Sequence, residues 1–94
     1  MEDLASFKAT VYGTVQGVGF RFYTRMEAKR LGINGYVRNL PGGESVEAGA
    51  EGEKAKLEKF VEFLASGPPL ARVDSIEVHW SEHKQDYTDF SINR

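Results

Sequence analysis

The spacing of apolar residues switches between period two and the helical period in a set order along this chain, and that order leaves few folds open. Phe7, Ala9, Val11, Gly13 and Val15 alternate with Lys8, Thr10, Tyr12 and Thr14, the pattern of a half-buried strand. From Arg21 to Leu31 the spacing turns helical, with Thr24, Ala28 and Leu31 at i, i+4 and i+7 and Tyr23 beside them. Lys29 and Arg30 suit the negative end of that helix and Gly32 stops it. Gly35-Tyr36-Val37-Arg38-Asn39-Leu40 reads as a second strand and Pro41-Gly42-Gly43-Glu44 as a turn. Val46, Ala48 and Ala50 alternate again and close a hairpin. Glu53 to Ser66 is the clearest helix. Leu57, Phe60, Val61 and Leu64 form its apolar face, Lys54, Lys56, Glu58, Lys59 and Glu62 solvate the other, and Gly67-Pro68-Pro69 ends it. Ile76, Val78 and Trp80 then alternate with Ser75, Glu77 and His79. A polar turn runs from His83 to Asp86, and Phe90 and Ile92 mark a short last strand.

The string is therefore β-α-β-β-α-β with a short terminal β. It predicts an α+β fold, a ferredoxin-like sandwich with two helices on one face of a mainly antiparallel sheet. A right-handed crossover makes strands one and two parallel, with strand three fitted between them. The carboxyl ends of strands one and two then lie at the same sheet edge. Ninety-four residues suit one domain, 1–94, without repeat, low-complexity segment or linker. No long apolar run suggests a membrane span. The acidic start, Met1-Glu2-Asp3-Leu4, lacks the basic and apolar regions of a secretory signal. The absence of cysteine excludes disulfides and thiolate metal sites. A cytoplasmic monomer is the default expectation.

Between the first strand and the first helix stands Gly13-Thr14-Val15-Gln16-Gly17-Val18-Gly19-Phe20-Arg21. Gly17 and Gly19 free the backbone, so several amide N–H groups can turn toward one point, and the first helical turn adds its own unpaired N–H groups and positive dipole end. That is a cradle for an anion such as phosphate. The net charge of −2 argues against general nucleic-acid binding, but the charge is uneven. Residues 1–43 carry six Lys/Arg against three Asp/Glu, about +3, whereas residues 44–94 carry six against eleven, about −5. Attraction for an anion thus belongs to the half that holds the glycine loop.

Arg21 stands where a cation opposes the helix dipole, and a fork of donors beside backbone amides can neutralise a phosphoryl group. On the residues alone it equally fits a surface arginine satisfying a carbonyl or carboxylate. Asn39 can orient a water molecule without titrating, but before Leu-Pro-Gly-Gly it also fits ordinary turn chemistry. No Gly-Lys-Ser/Thr follows the loop, so it is not a nucleotide-type P-loop. His79 and His83, four apart in a strand and turn, do not share one metal. No serine has a neighbouring histidine suited to nucleophilic catalysis. Arg25, Lys29 and Arg30 read as the wet face of the first helix.

Val11-Tyr12-Gly13-Thr14-Val15-Gln16-Gly17-Val18-Gly19-Phe20-Arg21 resembles the first signature of the acylphosphatase family. Gly35-Tyr36-Val37-Arg38-Asn39, followed by a glycine turn, Val46 and Gly52, resembles the second. The Gly67-Pro68-Pro69-Leu70-Ala71-Arg72-Val73 link and the Phe90-Ser91-Ile92 ending are similar too, so the resemblance covers nearly the whole chain. It implies hydrolysis of the carboxyl–phosphate bond of small acyl phosphates, giving carboxylate and inorganic phosphate, with no cofactor and no metal. In that reading Arg21 and the backbone amides of Gln16, Gly17, Val18, Gly19 and Phe20 bind the phosphoryl group, and Asn39 positions the attacking water. The partners implied are the acyl phosphate and phosphate, not nucleic acid or membrane. The chain departs from the family pattern in a turn one residue longer after Asn39, and in Gly19, where some relatives carry a bulky residue. The alternative reading is a non-catalytic anion-binding or assembly module of the same fold, as related domains occur inside larger hydrogenase-maturation proteins. RNA binding through the sheet finds no matching pair of strand aromatics in a basic setting.

Overall fold

The computed structural model describes residues 3–93. Its elements run β1 (Leu4–Thr14), α1 (Phe20–Leu31), β2 (Asn34–Asn39), β3 (Ser45–Glu53), α2 (Lys54–Ser66), β4 (Arg72–Glu82) and β5 (Phe90–Asn93). They build one five-stranded sheet in the order β4-β1-β3-β2-β5. β3 is antiparallel to both β1 and β2, which makes those two parallel to each other, while β5 runs parallel to β2 at the edge. The expected ferredoxin-like α+β sandwich is therefore the fold. The longer turn leaves strand register intact, since Leu40 N–H closes it by donating to Ser45 O at 3.0 Å and Asn39 still pairs with Val46.

Alternation along the strands puts Phe7, Ala9 and Val11 of β1 and Val46, Ala48 and Ala50 of β3 on the buried side, facing the helices. Against them pack Phe20, Thr24, Ala28 and Leu31 of α1 and Leu57, Phe60 and Leu64 of α2. Phe60 links two parts of the sheet, lying 6.1 Å from the Phe7 ring and 5.7 Å from that of Phe90, the latter edge to face. Each buried Val, Leu or Phe side chain among them contributes about 1.5–3 kcal/mol by its burial. The start of α1 differs from the expectation, which begins the helix at Arg21 and sets Tyr23 beside its buried stripe. Tyr23 is 42% exposed, and Phe20, 1% exposed, fills the place at the start of α1. The reason is angular: residues 20, 24, 28 and 31 form one helical stripe, whereas Tyr23 precedes Thr24 by 100° of rotation. α1 ends as its sequence suggests. Gly32 adopts φ 73°, and Ile33 N–H reaches back to Ala28 O at 2.9 Å.

The other face of the sheet carries a polar network. A Cβ at Gly49 would lie 2.3 Å from a Tyr36 ring carbon, so glycine is what admits that ring. The Tyr36 hydroxyl donates to Glu47 Oε1 at 2.8 Å and Arg38 Nε donates to the same oxygen at 2.9 Å. Burial opposes the charge on Glu47, but these two donors outweigh it and hold the carboxyl below its ordinary value, while burial and the Glu47 bond push the Tyr36 phenol up. The β4–β5 connection is stapled to this face by Glu51. That carboxylate is 4% exposed and accepts from the amides of Tyr87 at 2.8 Å and Asp86 at 3.2 Å.

Two outcomes follow from this face. Glu51→Ala strands two backbone donors and should lower stability by about 1–3 kcal/mol in urea unfolding, with faster amide exchange at Asp86 and Tyr87. Glu47, with its folded pKa depressed, adds stability that is present above its unfolded pKa near 4.5 and is lost as pH falls through the folded value. Denaturation midpoints measured from pH 6 down to pH 3 should therefore drop less steeply in Glu47→Gln than in the parent.

Candidate active site

The chain leaves β1 at Thr14 and enters α1 at Phe20, and the link is fastened at both ends by side chains in the core, Val15 and Phe20, each 1% exposed. Between them Gly17 and Gly19 take φ 75° and 77°, the left-handed region that side chains resist. Gly19 is the N-cap residue of α1, and no side chain caps the helix, nor does its first turn contain an acid. The first amide in the helix to find a partner is that of Tyr23, donating to Gly19 O at 3.1 Å. Among the described residues, the amides of Gln16, Gly17, Val18 and Gly19 make no protein hydrogen bond, and those of Phe20, Arg21 and Phe22 have no acceptor within the helix. A run of unpaired donors thus meets a bare positive helix end.

Side-chain chemistry ties this loop to the β2–β3 turn. Gln16 Nε2 donates to Leu40 O at 2.8 Å and to Ser45 O at 2.9 Å. Gly13 N–H adds a bond to Glu44 O at 3.0 Å. These contacts hold the loop at the end of β2, where Asn39 stands.

Here lies a pocket of about 190 Å³ lined by Val15, Gly17, Gly19, Phe20, Arg21, Phe22, Asn39 and Ile92. Five residues named from the sequence meet in it: Arg21, Asn39, Gly17, Gly19 and Phe20. Two do not line it. Val18 is packed against the core, and Gln16 lines a neighbouring depression with Tyr12, Gly13, Thr14 and Arg72. Arg21 is half-buried and, among the described residues, forms no ion pair, while Lys29, Arg30, Arg38 and Arg72 all do. The side-chain oxygen of Asn39 is buried and has no hydrogen-bond partner among the described residues. An unpartnered acceptor of that kind costs free energy unless something donates to it. Larger depressions of about 310 to 440 Å³ exist, but the one on the open sheet face mixes Lys8 and Lys84 with Glu51 and Asp86, and the largest contains no arginine or lysine among the described residues. Among the described residues no three His, Asp or Glu side chains are grouped to hold a metal ion.

Three features of the site lay outside the sequence reading: the side-chain strut of Gln16, and the apolar wall formed by Phe22 and Ile92. Phe22 carries a local signal, a large apolar residue off the buried stripe of α1, with Met26 one turn beyond it. Ile92 carries none, because only the sheet order brings β5 to the pocket.

The strut should be measurable. Gln16→Ala removes two hydrogen bonds at about 1 kcal/mol each. It should raise amide exchange across residues 16–19 and weaken inorganic phosphate binding several-fold by calorimetry, whereas loss of an exposed glutamine of no consequence would alter neither.

Comparison with known proteins matches the same region. The acylphosphatase family model matches residues 7–92. An acylphosphatase of Dehalococcoides mccartyi is 52% identical over 85 residues, covering 90% of this chain and 93% of its own. The crystal structure of acylphosphatase from Bacillus subtilis superposes with a TM-score of 0.90 at 38% identity, covering 98% of this chain and 100% of that one. A structure of full-length HypF in its phosphate- and nucleotide-bound form matches with a TM-score of 0.84 at 32% identity, where all of this chain corresponds to 12% of HypF.

Proposed function

The chain belongs to the acylphosphatase family, and on that premise we propose that Arg21 and Asn39 carry its reaction. The enzyme hydrolyses acyl phosphates. The observation that carries the assignment of residues is a pairing of unmet needs in one pocket: among the described residues, a guanidinium without a carboxylate and a buried amide oxygen without a donor. A phosphoryl group answers the first and a water molecule the second.

In this reading the phosphoryl oxygens accept hydrogen bonds from the amides of Gln16 through Phe20 and from the fork of Arg21. The Asn39 carbonyl oxygen accepts a hydrogen bond from water and so directs a water lone pair at phosphorus. As the new P–O bond forms, the bond from phosphorus to the acyl oxygen breaks and its electron pair leaves with the carboxylate. The water protons end on the phosphate product and the solvent. A carboxylate, whose conjugate acid has a pKa near 4, leaves without help from a general acid. Positioning and charge stabilisation therefore suffice, and the reaction needs no metal or cofactor.

Net charge of −2 and the acidic second half support a partner set without nucleic acid. No helix among the described residues is long and apolar enough to cross a membrane. We take the chain to act as a single-domain monomer in the cytoplasm.

Steady-state hydrolysis of benzoyl phosphate with excess chelator tests the assignment. Arg21→Ala should lose about 10³-fold or more in kcat/KM, and Asn39→Ala should lose about 10²-fold in kcat with a smaller change in KM. Arg21→Lys should recover only part, since a point charge replaces a fork. Full activity in Arg21→Ala would remove Arg21 from the mechanism, and loss of turnover with chelator would remove its metal independence.

A further inference from the structure

The pocket is chemically divided. Arg21, Asn39 and the glycine backbone supply the polar part, and Phe22 and Ile92 supply an apolar part that no other side chain covers. Phe22 is 57% exposed and Ile92 38% exposed, although both are large hydrophobes, and they stand beside Arg21 and Asn39. Neither belongs to the core. The aromatic neighbour of Phe22 is Tyr23, its ring edge-on at 5.5 Å, and Tyr23 is itself exposed. The fold therefore gives no packing reason for a phenyl ring at position 22, in contrast to the buried ring of Phe20. Among the described residues no acidic side chain lines the pocket. An acyl phosphate is divided in the same way, with a dianionic phosphoryl end joined to an organic end.

We propose that Phe22 and Ile92 seat the acyl group and make this enzyme select apolar acyl phosphates, aromatic ones above all. The inference rests on the phosphoryl-binding reading of the same pocket. A planar acyl group laid on the Phe22 ring gains offset stacking and removes apolar surface of both side chains from water. An acetyl or carbamoyl group is too small, or too polar, to gain as much. Discrimination of this kind is worth tens-fold rather than thousands-fold, as hydrophobic pockets reject a smaller group only weakly. Met26, one turn beyond Phe22 and 53% exposed, lies outside the pocket lining and takes no part.

Intrinsic reactivity differs between acyl phosphates, so the readout is a change in ratio. The kcat/KM for benzoyl phosphate divided by that for acetyl phosphate is measured in the parent, Phe22→Ala, Ile92→Ala, Met26→Ala and Arg21→Ala. Phe22→Ala should reduce the ratio about 10-fold and Ile92→Ala about 3-fold, with inhibition by inorganic phosphate retained in both. Phe22→Leu should recover part of the ratio, and Met26→Ala should alter neither substrate. A ratio indifferent to Phe22→Ala overturns the proposal and leaves the patch for a macromolecular partner instead. Equal loss on both substrates together with weakened phosphate inhibition also overturns it, since Phe22 then only supports the loop. Arg21→Ala separates the two readings. Equal, large losses on both substrates uphold the phosphoryl site whichever way the ratio falls, and an active Arg21→Ala refutes the phosphoryl site while the Phe22 ratio still reads the acyl seat.

Discussion

The parallel course of β1 and β2, with β3 threaded between them, is the constraint on which the site depends. Two strand spacings, roughly 10 Å, separate their carboxyl ends, a gap that neither strand alone could span with catalytic groups. The chain fills it from both sides. After β1 a glycine loop turns into α1 and offers donors, and at the end of β2 Asn39 offers an acceptor. Gln16 then reaches across the gap to the carbonyls on either side of the β2–β3 turn. One amide side chain therefore sets the distance between the two halves of the chemistry.

The electrostatics of the site follow from what is missing around it. Lys29, Arg30, Arg38 and Arg72 each have a carboxylate within 4 Å, pairs that add little on a wet surface but do neutralise local charge. Arg21 does not. The first turn of α1 likewise has no acid to satisfy its dipole. A loop built in this way is less stable than it would be with a capping Asp or Ser, and the deficit becomes affinity for an anion. The structure thus stores its complementarity in unpaired groups instead of in a special backbone strain.

Much of this was legible in the sequence because its signals are local. Alternation in β1 and β3, the apolar stripe of α2 and the glycine stop of α1 all depend on neighbours within one or two turns. The glycine loop announced the cradle for the same reason, and the right-handed crossover rule placed Asn39 near it. What escaped depends on distant partners. Spacing sets Tyr23 beside the stripe of α1 and starts the helix at Arg21, whereas tertiary packing starts it at Phe20 and buries that ring. Gln16 was read through its backbone, yet its side chain acts on carbonyls 24 and 29 residues away. Ile92 joined the pocket only because β5 pairs with β2 in parallel register, and no periodicity in a four-residue strand foretells its neighbour.

Phe20 occupies two environments at once. Its ring is sealed in the core, its peptide belongs to the loop, and its neighbours on either side, Gly19 and Arg21, line the pocket. Stability and rate therefore share a hinge one residue long. Adaptation to a hotter or colder habitat by changing the packing around this ring would also shift the guanidinium next to it. The exposed surface of β4, none of whose residues lines the pocket, offers no such conflict. Thermal adaptation of this chain is accordingly expected to accumulate on the far strand and to leave the corner at Phe20 alone.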